Sequence, residues 1–130
     1  MTKNQSNATT FKQAEPPQIL MAGDNARTAI ILQQALSQAG FRVELAAGYH
    51  ELEDLWEQQR HSMVLLEVSG PQAVEAAIHT ALRLKYQDPR QFVGYIADPL
   101  LQTSGLAGDA IFPRGSDKLT RALRRHLTQL

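Results

Sequence analysis

Two carboxylates stand where this chain could do chemistry. Asp24 follows the run Ile19-Leu20-Met21-Ala22-Gly23, and Glu67 sits near the end of the run Met63-Val64-Leu65-Leu66-Glu67-Val68. Acids at neighbouring strand ends can hold a divalent cation and set an anionic group against it. A lone pair of carboxylates is a weak metal signal, and the reading favoured for Asp24 is the N-cap of the following helix. Other chemistries find less support. There is no cysteine, which excludes disulfides and thiolate catalysis. His50, His61, His79 and His126 lack ligand spacing and read as surface or loop residues, so no zinc site is expected. Gly23-Asp24-Asn25 is too short for a phosphate-cradling loop. Ser69 and Asp98 form no Ser-His-Asp order with any histidine.

The elements that must position the two acids follow from apolar spacing. Met63 to Val68 is a short apolar run closed by Ser69-Gly70-Pro71, the pattern of a strand buried on both faces of a parallel sheet. Gln18 to Ala22, Phe41 to Ala46, Phe92 to Ala97 and Ala110 to Phe112 read as four further strands. Between them, helices are predicted over 26–39, 49–59 and 72–85, with a short one after Asp98-Pro99 and a last one over 117–129. Their expected inner faces are Thr28, Ile31, Leu32, Ala35, Leu36 and Ala39; then Leu52, Leu55 and Trp56; then Val74, Ala77, Ile78, Ala81 and Leu82; and last Leu119, Ala122, Leu123 and Leu127. Gly40 should end the first helix in the left-handed conformation. Ser116 should cap the last helix, whose Lys118, Arg121, Arg124 and Arg125 face water.

Strand and helix alternate five times. The expectation is an α/β, flavodoxin-like three-layer α/β/α sandwich with a five-stranded parallel sheet ordered 2-1-3-4-5. Its switch point lies between strands one and three, where Asp24 and Glu67 end up. The 130 residues fit one domain, 18–130, preceded by a polar tail, 1–17, read as disordered. A docking peptide is the other reading of that tail, with Phe11 its only aromatic. The charge balance of 13 basic and 13 acidic residues favours neither nucleic acid nor a membrane as a partner. A cytoplasmic location is expected, for want of a secretory signal or a membrane span. The basic last helix lacks interleaved aromatics, so direct nucleic-acid contact is not expected.

From Gln18 to Leu127 the chain resembles the receiver domains of response regulators, the CheY-like family. Ile19-Leu-Met-Ala-Gly-Asp24-Asn25 is similar to that family's first strand and acidic turn, and Ala39-Gly40-Phe41 with Ala46-Ala-Gly48 to the stretch after it. Leu65-Leu-Glu67-Val68-Ser-Gly-Pro71 resembles the phosphoacceptor strand and its loop proline, and Gly108-Asp109-Ala-Ile-Phe-Pro113 the approach to the fifth strand. The departures carry the functional expectation. Gly23 stands where the family has the first of two magnesium-holding acids, and Glu67 where it has the phosphoacceptor aspartate. Ile96, before Ala97, replaces the hydroxyl residue. Pro113, with Arg114 next, replaces the lysine, and Ala110 matches the aromatic switch position.

The resemblance therefore implies a degenerate receiver, a pseudo-receiver, that is not an enzyme, holds no magnesium and is not phosphorylated in the standard way. The extra methylene of Glu67 moves its carboxylate about 1.5 Å, and a misplacement of ~1 Å can cost about a hundredfold in rate. Glu67 has three readings: a mimic of a phosphorylated aspartate, a relic, or a structural partner of a cation such as Arg114. The family's interaction face of fourth helix, fifth strand and fifth helix maps onto Leu100, Leu101, Ala110, Phe112, Lys118 and Arg121, for a protein partner or a homodimer. Two alternatives stay open. One is a phosphorylatable receiver served by a histidine kinase. The other is the N-terminal regulatory domain of a longer DNA-binding regulator.

Overall fold

A computed structural model describes residues 18–98 and 109–128. The expected tail 1–17, the short helix after Pro99, and Leu100 and Leu101 lie outside the described residues. Five strands form one parallel sheet: β1 (Gln18–Gly23), β2 (Arg42–Leu45), β3 (Met63–Val68), β4 (Phe92–Ala97) and β5 (Ala110–Phe112). Their order is β2-β1-β3-β4-β5, as the alternation predicted. The helices are α1 (Ala26–Gln38), α2 (Tyr49–Gln58), α3 (Val74–Gln87) and α4 (Ser116–Thr128), the last being the C-terminal helix. A 3-10 turn, Pro71–Ala73, leads into α3.

All six residues of β3 are buried, as befits the centre of the sheet. Side chains alternate across it. Leu20, Ala22, Val64, Leu66, Val68, Val93 and Tyr95 pack under α2 and α3 with Leu52, Trp56, Ala77 and Leu84. Ile19, Met21, Met63, Leu65, Ile96 and Phe112 pack under α1 and α4 with Leu32, Leu36, Leu119 and Leu123. Glu67 shares the parity of Met63 and Leu65, so its side chain emerges on the α1/α4 side. Trp56 is fully buried, and its indole N–H donates to Gln91 Oε1 at 2.8 Å, which satisfies the one polar atom it carries inside. Gly40 has φ +101°, the left-handed turn expected after α1.

Several expectations about helix phase need correction. Ile31 is 54 % exposed, because Ala29, Leu32 and Leu36 form the buried stripe of α1. Leu82 is 57 % exposed, because the buried stripe of α3 runs through Val74, Ala77, Thr80, Ala81 and Leu84. Helix α4 begins on Ser116 itself, and the Gly115 carbonyl accepts its first bond, from Leu119 N at 2.7 Å; Gly115 and not Ser116 therefore holds the capping position. Two histidines are not surface residues. His61 is buried and reaches Glu44 Oε1 through Nε2 at 2.9 Å, and His126 is half-buried between the rings of Phe92 and Phe112.

Candidate functional site

Parallel pairing sets Gly23 beside Glu67 and Glu67 beside Ile96, so β1, β3 and β4 end together at the switch point. The Glu67 side chain is fully buried. Its Oε2 lies 2.9 Å from Arg114 Nη2, and Thr28 Oγ1 lies 3.2 and 3.0 Å from Oε1 and Oε2. Thr28 reaches it from the first turn of α1, and Arg114 from the loop between β5 and α4. The Thr28 hydroxyl has one proton, and the Asn25 carbonyl at 3.1 Å competes for it. The guanidinium therefore supplies the principal compensation for a buried carboxylate. Arg114 Nη1 also approaches Asp98 Oδ2 at 3.9 Å, at the solvent side.

Gly23 is what makes room for this arrangement. A Cβ built on it would lie 2.3 Å from Glu67 Oε1 and 3.3 Å from Ala29 Cβ. The Glu67 carboxylate thus lies over the position where a side chain at 23 would begin. The Glu67 carbonyl accepts from Tyr49 Oη at 2.5 Å, which fastens the end of β3 to the start of α2. Burial first, then the negative charges of Asp24 and Glu67, pushes the Tyr49 hydroxyl well above its ordinary value.

Asp24 has a different task from the one expected. The cap of α1 is Asn25, whose Oδ1 accepts from Arg27 N at 3.0 Å and Thr28 N at 3.3 Å. Asp24 reaches across the crevice to the loop after β3. Its Oδ1 accepts from Ser69 N at 2.8 Å, and its Oδ2 from Ser69 Oγ at 2.5 Å and Gln72 Nε2 at 3.4 Å. Ser69 pairs with Asp24, not with Asp98. Both oxygens of Asp24 therefore accept from protein donors, and at Glu67 a fixed positive charge stands against Oε2. These residues do not fit a divalent cation, and no group of three or more acids and histidines placed for a metal occurs among the described residues.

Of the remaining site candidates, Ile96 is fully buried beside Glu67 and Pro113 is half-buried beside Arg114. Lys118 and Arg121 are exposed and Ala110 is half-buried. Phe112 turns inward, 5 % exposed, among the α1/α4 core residues, so it offers no surface; the neighbouring Ile111, half-buried, stands at the sheet edge instead. Sequence reasoning did not assign Thr28 or Tyr49 to the site. The position of Thr28, on the turn after Asn25, was the available signal; Tyr49 offered none beyond its place at a helix start.

No protein-family model matches this sequence, and no curated protein matches it either. Solved structures match its shape. The chemotaxis protein CheY4 of Vibrio cholerae is 17 % identical, with a TM-score of 0.63 over 85 % of this chain and 98 % of that one. A response regulator from Desulfuromonas acetoxidans is 16 % identical, with a TM-score of 0.64 over 87 % and 98 %. The chain has the CheY-like receiver fold. That fold also serves elsewhere. A cobalamin-binding protein from Desulfitobacterium hafniense is 17 % identical, with a TM-score of 0.65 over 88 % of this chain, which spans 61 % of that protein's length. No helix among the described residues is long and apolar enough to cross a membrane.

Proposed function

We propose that this chain is a receiver-like signalling module that works through protein contacts and has given up standard aspartyl phosphorylation. The observation that carries this reading is the buried pair of Glu67 and Arg114 at 2.9 Å, seated against the bare backbone of Gly23. Acyl-phosphate chemistry needs a cation to neutralise phosphoryl oxygens and an attacking oxygen open to the donor. Here the attacking group is fully buried, its second oxygen faces a guanidinium, and Asp24 is committed to Ser69. Among the readings of Glu67, its contacts favour the structural partner of Arg114. The pair joins β3 to the β5–α4 loop, and Thr28 adds α1 to the same carboxylate.

The contacts through which such a module would act lie on the face formed by β5 and α4, with Lys118 and Arg121 outermost. Incubation with a small phosphodonor and magnesium, followed by intact-mass analysis, tests the reading. No added phosphoryl mass is expected. Stoichiometric modification at Glu67 would establish the phosphorylatable alternative.

A further inference from the structure

The α4–β5 edge is more specific than a general contact face. Helix α4 carries Lys118, Arg121, Arg124 and Arg125 against one acid, Asp117, in a chain whose net charge is zero. Arg124 is engaged, its Nη2 donating to the Ala39 carbonyl at 2.8 Å. Lys118, Arg121 and Arg125 are exposed and meet no acid among the described residues. The remaining segments hold little to neutralise them: 99–108 contains no Asp or Glu, and 1–17 contains only Glu15. The three cations rim a groove of about 380 Å³ whose other lining residues are Ile111, Pro113 and Ala122.

We propose that this groove docks an acidic segment of a different protein, one that places an apolar side chain between carboxylates. The apolar residues take the anchor and the rim takes the charges, the usual division between an interface centre and its edge. Charge complementarity also argues against one familiar occupant. A symmetric dimer through this face would set the same cations of two copies against each other, which disfavours self-pairing. A polyanion is a poorer match, because the cations surround an apolar floor and do not line a phosphate track.

This inference rests on the reading above that the module works through protein contacts. The test is selection of a random short-peptide display library on the full chain, with the Arg121→Glu/Arg125→Glu variant as counter-target. Enriched sequences are expected to carry Asp or Glu on both sides of an apolar residue, to shift the amides of Ile111 and Ala122, and to bind the variant at least about tenfold more weakly. The milder Arg121→Gln/Arg125→Gln variant, checked for native circular dichroism, gives the same ranking if charge reversal harms folding. Four results would overturn it: enrichment of neutral or basic peptides, equal affinity for wild type and variants, a DNA oligonucleotide binding as tightly as the peptides, or wild-type self-association through this face. Phosphodonor labelling is read separately at Glu67, which these substitutions leave untouched. Labelling there with peptide binding intact would fail the phosphorylation reading alone.

Discussion

Arg114 and Arg121 belong to the same end of the chain and do opposite things. Arg114 carries its charge into the crevice, where it neutralises a fully buried carboxylate; Arg121 leaves its charge in water beside Lys118 and Arg125. An inward charge must be matched, because removing its partner strands an ion in a low-dielectric interior. An outward charge is screened and nearly neutral for folding. The crevice should therefore answer to mutation through stability, and the outer face through association. That difference is the reason for assigning structure to one region and recognition to the other.

Arg114→Met should produce the largest effect. It leaves the Glu67 carboxylate without a cation and should destabilise the fold by about 3 kcal/mol, the low end for a broken buried pair because Arg114 is itself partly exposed. Denaturant unfolding measures the loss, and adding Glu67→Gln should recover most of it. Gly23→Ala comes next. Its Cβ would displace a carboxylate oxygen from 2.3 Å, at a cost of about 2 kcal/mol. Shortening the acid with Glu67→Asp in the same chain should relieve that clash, so the double variant should be more stable than the sum of its parts. Strict additivity would show that a side chain at position 23 and the Glu67 carboxylate do not compete for one space.

Tyr49→Phe is expected to be smaller, about 1 kcal/mol, the value of one hydrogen bond to the Glu67 carbonyl. It should also alter alkaline behaviour. The Tyr49 hydroxyl is raised above its ordinary value of 10.0, so the folded state keeps a proton that the unfolded chain releases. Its contribution is complete below about pH 10 and falls as pH rises beyond that point. Tyr95, pushed up to about 12 by burial and then by Asp109, loses its contribution between its ordinary value of 10.0 and that point. Removing the Tyr49 hydroxyl should make the alkaline decline shallower, which pH-dependent unfolding detects. Arg121→Glu/Arg125→Glu should have the smallest effect on folding, within about 0.5 kcal/mol, while carrying the largest effect on peptide binding. A large stability loss there would break the contrast between the two regions.

The frame of the molecule was readable because its signals are simple. Met63 to Val68 is apolar except for Glu67 and is closed by Ser69-Gly70-Pro71; it became β3 with the expected bounds. Gly40 stood where only a left-handed turn continues the chain, and φ +101° followed. The site was less readable because it depends on choices between near equals. Asp24 and Asn25 are both good caps, and only the backbone phase at Ala26 assigns the task to Asn25 and frees Asp24 to hold Ser69. Ile31 and Leu82 lie at the margins of apolar stripes, where a small rotation moves a residue from core to solvent. Phe112 and Ile111 are adjacent, and strand parity alone sends the first inward. The pairing of Arg114 with Glu67 depended on which way a buried side chain turns, and the vacant Cβ position of Gly23 decides that.

The central claim is that protein groups occupy the crevice where a cation and a phosphoryl group would otherwise bind. Titration of the full chain with magnesium and beryllofluoride, followed through the backbone amides of Asp24, Glu67 and Ser69, tests it most directly. The account predicts no saturable shift at these three positions. Saturable shifts converging on them would show that Arg114 and Ser69 yield to a metal and a phosphoryl mimic, and would contradict it.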